Sequence, residues 1–195
     1  MRDVTPFFPE GADVIGKRRN SPNLKQKRIS AILTKRTRSK KNDIVGKAAF
    51  VLATWFGIGL IPFASGTFGT MGAVPLVLAL RHWPLAFKIT FFLFFVALAV
   101  LVSGRAESLL ETNDPSQVVI DEVAGFLAAT IFIQVSWQDI GIAFFVFRFF
   151  DILKPFPAGF LDRRLHGGLG IVLDDVAAGF QTLLVLILIH AFLGN

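Results

Sequence analysis

A chain of 195 residues has room for one domain, and its 53% hydrophobic content, with a mean hydropathy of +0.62, is too apolar for an ordinary soluble one. Cysteine is absent, which excludes a disulfide framework, a cysteine-ligated zinc site, an Fe–S cluster and a thiol nucleophile. The net charge of +6 is uneven: residues 1–42 carry 12 of the 20 Lys and Arg but 3 of the 14 acids, so that stretch is +9 and the remainder −3.

Residues 1–42 are polar and basic, with no apolar run of the kind a secretory signal needs, and read as a disordered tail ahead of a helical membrane domain at 43–195. Lys25, Lys27, Arg28, Lys35, Arg36, Arg38, Lys40 and Lys41 form either a solvated tail or an electrostatic attachment to anionic lipid. A pI near 10.1 invites a nucleic-acid partner, but the only aromatics in the basic run are Phe7 and Phe8, so none is expected.

From Ala48 onward the chain divides into apolar segments at 48–63, 72–80, 84–103, 119–137, 139–153 and 175–193. Those at 84–103, 119–137 and 175–193 approach the ~20 residues that cross a hydrocarbon core as helix. The expected fold is all-α, a multi-helix integral membrane bundle with several transmembrane or partly inserted helices. Alternation along such a bundle brings Asp121, Glu122, Asp151, Lys154, Asp162, Arg163, Arg164, His166, Asp174, Asp175 and the Ser65–Thr70 loop to one membrane face. Arg81, His82 and Asp139 fall opposite. The positive-inside rule assigns the first face to the cytoplasm. The 22 phenylalanines, against no tyrosine, are core or lipid-facing bulk.

Asp121 and Glu122 begin one expected helix, Asp174 and Asp175 another. Each pair either caps its helix or binds something. A cap needs one acceptor, so doubled acids at two helix starts, with Asp151 between them, exceed structural need, and like charges this close repel unless a cation compensates. Mg²⁺, which takes a few carboxylates, water and substrate phosphate, suits such a set. Arg148 and Asp151 are three apart and form either a plain helical ion pair or part of a phosphate site; Pro155 and Pro157 end that helix and hold Lys154 at the interface. The Ser65-Gly66-Thr67-Phe68-Gly69-Thr70 stretch offers backbone N–H groups to a phosphate, or else close helix packing. His166, in a glycine-rich turn before Asp174, either relays a proton or is a plain loop histidine. His82 and His190 lie away from the acidic face and read as structural.

The stretches FGIGLIPFASGTFGT (56–70), DPSQVVIDEVAGF (114–126), FRFFDILKPFPAGFLDR (147–163) and HGGLGIVLDDVAAG (166–179) resemble the phosphatidylglycerophosphatase A family, in order, across residues 48–193. The resemblance implies an all-helical enzyme of the bacterial inner membrane, its active site facing the cytoplasm. It would hydrolyse phosphatidylglycerophosphate to phosphatidylglycerol and phosphate with Mg²⁺. The family's acids carry over onto Asp121, Glu122, Asp151, Asp162, Asp174 and Asp175, with Arg148, Lys154, Arg163 and His166 beside them. The reading that follows places Mg²⁺ on Asp121, Glu122, Asp174 and Asp175. Asp151 and His166 join the catalytic group, and Arg148, Lys154, Arg163, Gly66 and Thr67 bind substrate. Ser65 departs from the Pro that relatives often carry there. The rival classes are a small cation transporter, whose carboxylates would lie near mid-bilayer, and a non-catalytic membrane scaffold with a charged face.

Overall fold

Apolar runs without strand alternation call for helices, and the described residues, 44–193 of a computed structural model, are helices joined by short turns. The basic stretch at 1–42 lies outside the described residues. Helix α1 (Ile44–Ala53) breaks at Trp55, Phe56 and Gly57, all with positive φ, into a 3₁₀ turn at Ile58–Leu60. Trp55 anchors the break by donating from its indole Nε1 to the Gly72 carbonyl at 2.9 Å. There follow α2 (Ser65–Leu80), α3 (Leu85–Leu110), α4 (Ile120–Thr130), α5 (Trp137–Leu153), α6 (Ala158–Arg164) and α7 (Gly167–Leu193).

Two of these, α3 with 26 residues and α7 with 27, are apolar and, at ~1.5 Å per residue, about 40 Å long, enough to cross a bilayer. The third expected span, 119–137, is not one. Helix α4 stops at Thr130 after 11 residues, and every residue in it except Glu122 is buried. A helix that is apolar on all sides is a core helix, and the run at 119–137 reflects enclosure by protein rather than by lipid.

The core forms where α4 meets α7. A β-carbon on Gly179 would land on the Gly125 carbonyl oxygen, so these two helices touch backbone to backbone. Around that contact Val123, Phe126, Leu127, Phe147, Val172 and Leu186 are fully buried, and the Phe126 and Phe147 rings meet edge to face at 6.1 Å. Between helices in lipid, close packing of small residues and dispersion hold the assembly, since hydrocarbon is as apolar as the side chains. A larger residue at Gly179 would separate the two helices that carry the acids described below.

At the end remote from those acids, Ser136 and Asp139 form a reciprocal capping box at the start of α5. His190 Nε2 lies 2.8 Å from Asp139 Oδ1 and ties the end of α7 to the start of α5. His82 accepts from Arg81 Nε at 2.7 Å. Buried Lys88 sits among Leu80 and Arg81 at the end of α2 and Thr130 and Ile131 at the end of α4, where helix C-termini present partial negative charge to its ammonium.

Candidate functional site

At the other end, the start of α2, the loop before α4, the start of α4, the end of α5 and the first turns of α7 enclose a cleft of roughly 430 Å³. Its walls carry Ser65, Gly66, Asp114, Asp121, Glu122, Arg148, Asp151, Lys154, Asp174 and Asp175.

Neither acid pair is a helix cap. Asp121 and Glu122 stand in the first turn of α4, but its N-cap is Val119 and makes no side-chain bond. Helix α7, expected to leave from Asp174, begins at Gly167, so Asp174 and Asp175 lie two turns inside it. The glycines before them read as a turn in the sequence because small residues serve turns and close packing alike. Here a β-carbon on Gly168 would land on the Val100 carbonyl oxygen, so this glycine seats α7 against α3. The helix thereby faces both aspartates inward, and both are almost fully buried.

One carboxylate oxygen each from Asp121, Glu122 and Asp175 falls within 4.8 Å of the others, joining α4 to α7. Asp121 Oδ1, Glu122 Oε2 and Asp174 Oδ1 are buried without any hydrogen-bond partner. A buried, unpaired carboxylate is costly, and three converging ones repel. A hard divalent cation removes both costs, and these all-oxygen donors suit Mg²⁺ or a similar ion. The fit is to Asp121, Glu122 and Asp175. Asp174, expected among the ligands, stands outside the converging group.

Basic groups flank the acids. Arg148 Nη1 pairs with Asp151 Oδ2 at 2.5 Å and lies 3.9 Å from Glu122 Oε1, while its Nε is buried and unpartnered. Lys154 closes α5 in a left-handed C-cap, its N–H donating to the Phe150 carbonyl at 2.8 Å. Its Nζ bridges Asp162 Oδ1 and Asp174 Oδ2, each at 2.6 Å. Partial burial of the ammonium pulls its pKa down, but the hydrogen bonds and charge of the two carboxylates outweigh that and hold it well above the ordinary lysine value, so Lys154 stays a cation.

The Ser65–Thr70 stretch is the opening of α2 rather than a loop, with Ala64 as a left-handed N-cap. Gly66 meets the cleft: a β-carbon there would land on Glu122 Oε1 and lie 2.9 Å from Arg148 Nη1. The first-turn N–H groups of α2 have no intrahelical acceptor and point the positive end of the helix toward the cleft. Thr67 does not line it. His166 lines a neighbouring pocket of roughly 190 Å³ with Glu107, Asn113 and Asp162; Asp114 and Asp174 belong to both cavities. Arg163 is exposed on α6 and lines neither. Its neighbour Arg164 stacks over the Phe160 ring at 5.2 Å.

Sequence reasoning gave no role to Asp114 or Glu107, and of Ser65 it noted the stretch but not the side chain, whose Oγ donates to the Ser116 carbonyl at 2.8 Å. The available signal was an acid before proline in Asp114-Pro115-Ser116, immediately ahead of the Asp121-Glu122 helix.

A sequence model described as PgpA, phosphatidylglycerophosphatase A, matches residues 51–190. Phosphatidylglycerophosphatase A of Haemophilus influenzae is 39% identical over 145 residues, covering 72% of this chain and 87% of the relative. The protein of the same name from Escherichia coli is 30% identical over 130 residues, covering 66% and 76%. A putative phosphatidylinositol-3-phosphatase of Bacteroides thetaiotaomicron is 31% identical over 148 residues, covering 70% and 89%. No solved structure matches significantly.

Proposed function

The chain belongs to the phosphatidylglycerophosphatase A family, and from that premise we propose that it is a Mg²⁺-dependent lipid phosphatase. Its reaction is the hydrolysis of phosphatidylglycerophosphate to phosphatidylglycerol and inorganic phosphate in phospholipid synthesis. The protein is multi-pass in the bacterial inner membrane, with the cleft facing the cytoplasm. In support, α3 and α7 are long and apolar enough to cross, and Arg105, Lys154, Arg163 and Arg164 gather toward the cleft end. The family match begins at residue 51, so the basic stretch at 1–42 lies outside it.

Asp121, Glu122 and Asp175 hold the cation. When bound, Mg²⁺ supplies Lewis acidity, neutralising phosphoryl oxygens and making nearby water more acidic. The protein's own groups do the rest. Arg148 and Lys154 present cationic N–H donors to the terminal phosphate, and the α2 N-terminus adds backbone N–H groups. Asp151 holds the Arg148 guanidinium in place. Lys154 occupies Asp174 Oδ2 and leaves Oδ1 without a partner in the cleft wall. That oxygen takes the proton from water as the water oxygen attacks phosphorus. The P–O bond to glycerol breaks, and the glycerol oxygen leaves as the alcohol with a proton from solvent. Shared walls with the His166 pocket give that histidine a path to Asp174 for proton return.

One observation carries the reading: the carboxylates of Asp121, Glu122 and Asp175 converge from two helices, the first two each with a buried unpartnered oxygen, beside Arg148 and Lys154. The test is phosphate release by purified protein in detergent, with Mg²⁺ and with excess chelator. Phosphatidylglycerophosphate and phosphatidylinositol 3-phosphate are offered side by side. Metal-dependent release from the first, lost in Asp175→Asn, is expected. A folded protein that releases nothing under any metal condition overturns the proposal.

A further inference from the structure

A lipid phosphatase must bring a phosphate into a polar site while two acyl chains remain in hydrocarbon. One edge of the cleft has to be apolar and open to lipid. The cleft has one such edge. Ile152 lines it and is nevertheless 69% exposed. On the facing wall Ala64 is exposed, and beside it Phe63 is 67% exposed. The opposite edge runs past Asp174 into the pocket of Glu107, Asp114 and His166, which suits water and cations rather than chains.

We infer that the cleft opens sideways into the bilayer between Phe63 and Ile152, and that the acyl chains of the substrate lie along an outer stripe of α5. The inference rests on the lipid-phosphatase reading. At ~100° per residue, Phe145, Phe149 and Ile152 fall within about 60° of one another on the helix surface. All three are more than half exposed. Arg148 and Asp151 occupy the adjacent strip that faces the cleft. A phosphate held by Arg148 therefore has a continuous apolar track beginning one helical turn away, at Ile152. The start of α2 meets α5 at Gly66, where a β-carbon would lie 2.9 Å from Arg148 Nη1. The occupant fitted by a polar cleft continuous with this track is a phosphate-ended lipid with its chains still in the leaflet.

The test compares kcat/KM for a long-chain phosphatidylglycerophosphate in phosphatidylcholine vesicles with that for its monomeric dihexanoyl analogue. The ratio of the two is the readout. Ile152→Gln and Phe149→Gln are expected to lower the ratio at least tenfold, and Ile152→Leu to restore it. Leu101→Gln, at a 71% exposed position on α3 away from the cleft, is expected to leave it unchanged. An unaltered ratio in both α5 variants, or an equal loss in Leu101→Gln, overturns the lateral path while the phosphatase reading stands. A wild-type protein inactive on both substrates overturns the phosphatase reading instead. Should the glutamine variants fail to insert, a photoactivatable acyl chain on the wild-type protein decides. Labelling concentrated at Phe63 and at 145–152 supports the path, and even labelling of α3 and α7 overturns it.

Discussion

The two ends of this bundle use the same residue types to opposite ends. At the distal end one aspartate, Asp139, accepts from the Ser136 N–H and hydroxyl at 2.8 Å each and meets His190 at 2.8 Å. At the cleft end Asp121, Glu122 and Asp174 each keep a buried oxygen with no partner. A satisfied polar group stabilises a fold, whereas an unsatisfied one costs stability and persists where a ligand completes it. The proposed function assigns the distal acid to structure and the cleft acids to the reaction, and on that assignment mutation should drive the two ends in opposite directions.

The sharpest break of that contrast is Asp175→Asn or Asp121→Asn. Phosphate release should fall by about 10³-fold, comparable to losing a principal electrostatic group in a dry site. Melting of the cation-free protein in detergent should rise by a few degrees, because one of the repelling charges is gone. Loss of both activity and stability would place these acids with Asp139.

Next come Lys154→Met and Asp174→Asn, each expected to lower kcat by about 10²-fold, within the range for general acid–base groups. Mg²⁺ should still raise the melting temperature of both variants, as binding to the native state requires, and should not do so for Asp175→Asn. If Mg²⁺ stabilises Lys154→Met but not Asp174→Asn, Asp174 belongs among the ligands.

Gly66→Ala should cost roughly tenfold to a hundredfold in kcat/KM. Its β-carbon would lie 2.2 Å from Glu122 Oε1 and 2.9 Å from Arg148 Nη1, so the carboxylate must move by about 1 Å, and misplacement on that scale degrades positioned groups. An unaffected variant would mean that the α2 start can retreat. The smallest effect belongs to the distal end: Asp139→Asn should destabilise by about 1–2 kcal/mol through the lost cap and His190 contact. Activity per folded molecule should stay intact, checked by titrating the folded fraction against phosphate release.

Much of the site was legible in the sequence, since Asp121, Glu122, Arg148, Asp151, Lys154, Asp174 and Asp175 all line one cleft. Alternation of apolar segments suffices for that, because it assigns each charged boundary to an end of the bundle whatever the packing. Local pattern does not say which helices are wrapped by protein. The 119–137 run therefore read as a span, although α4 ends at Thr130 inside the core. Nor does it separate glycine for turning from glycine for contact, and so α7 was expected to begin seven residues too late. Arg163 follows the same lesson: alternation and the family resemblance put it with the site, yet on α6 the side chains of Asp162 and Arg163 diverge, Asp162 to Lys154 and Arg163 to the surface.

By itself the sequence determined a helical membrane protein with its acids and bases collected at one end, because apolar length and the placement of charge between apolar runs are one-dimensional properties. The tertiary structure alone decided which of those acids converge. Whether a carboxylate meets two others, as Asp175 does, or a lysine, as Asp174 does, depends on how α4, α5 and α7 are rotated against one another. That rotation is set by backbone contact at Gly125 and Gly179 and by the packing of Phe126 on Phe147, interactions between residues distant in the chain.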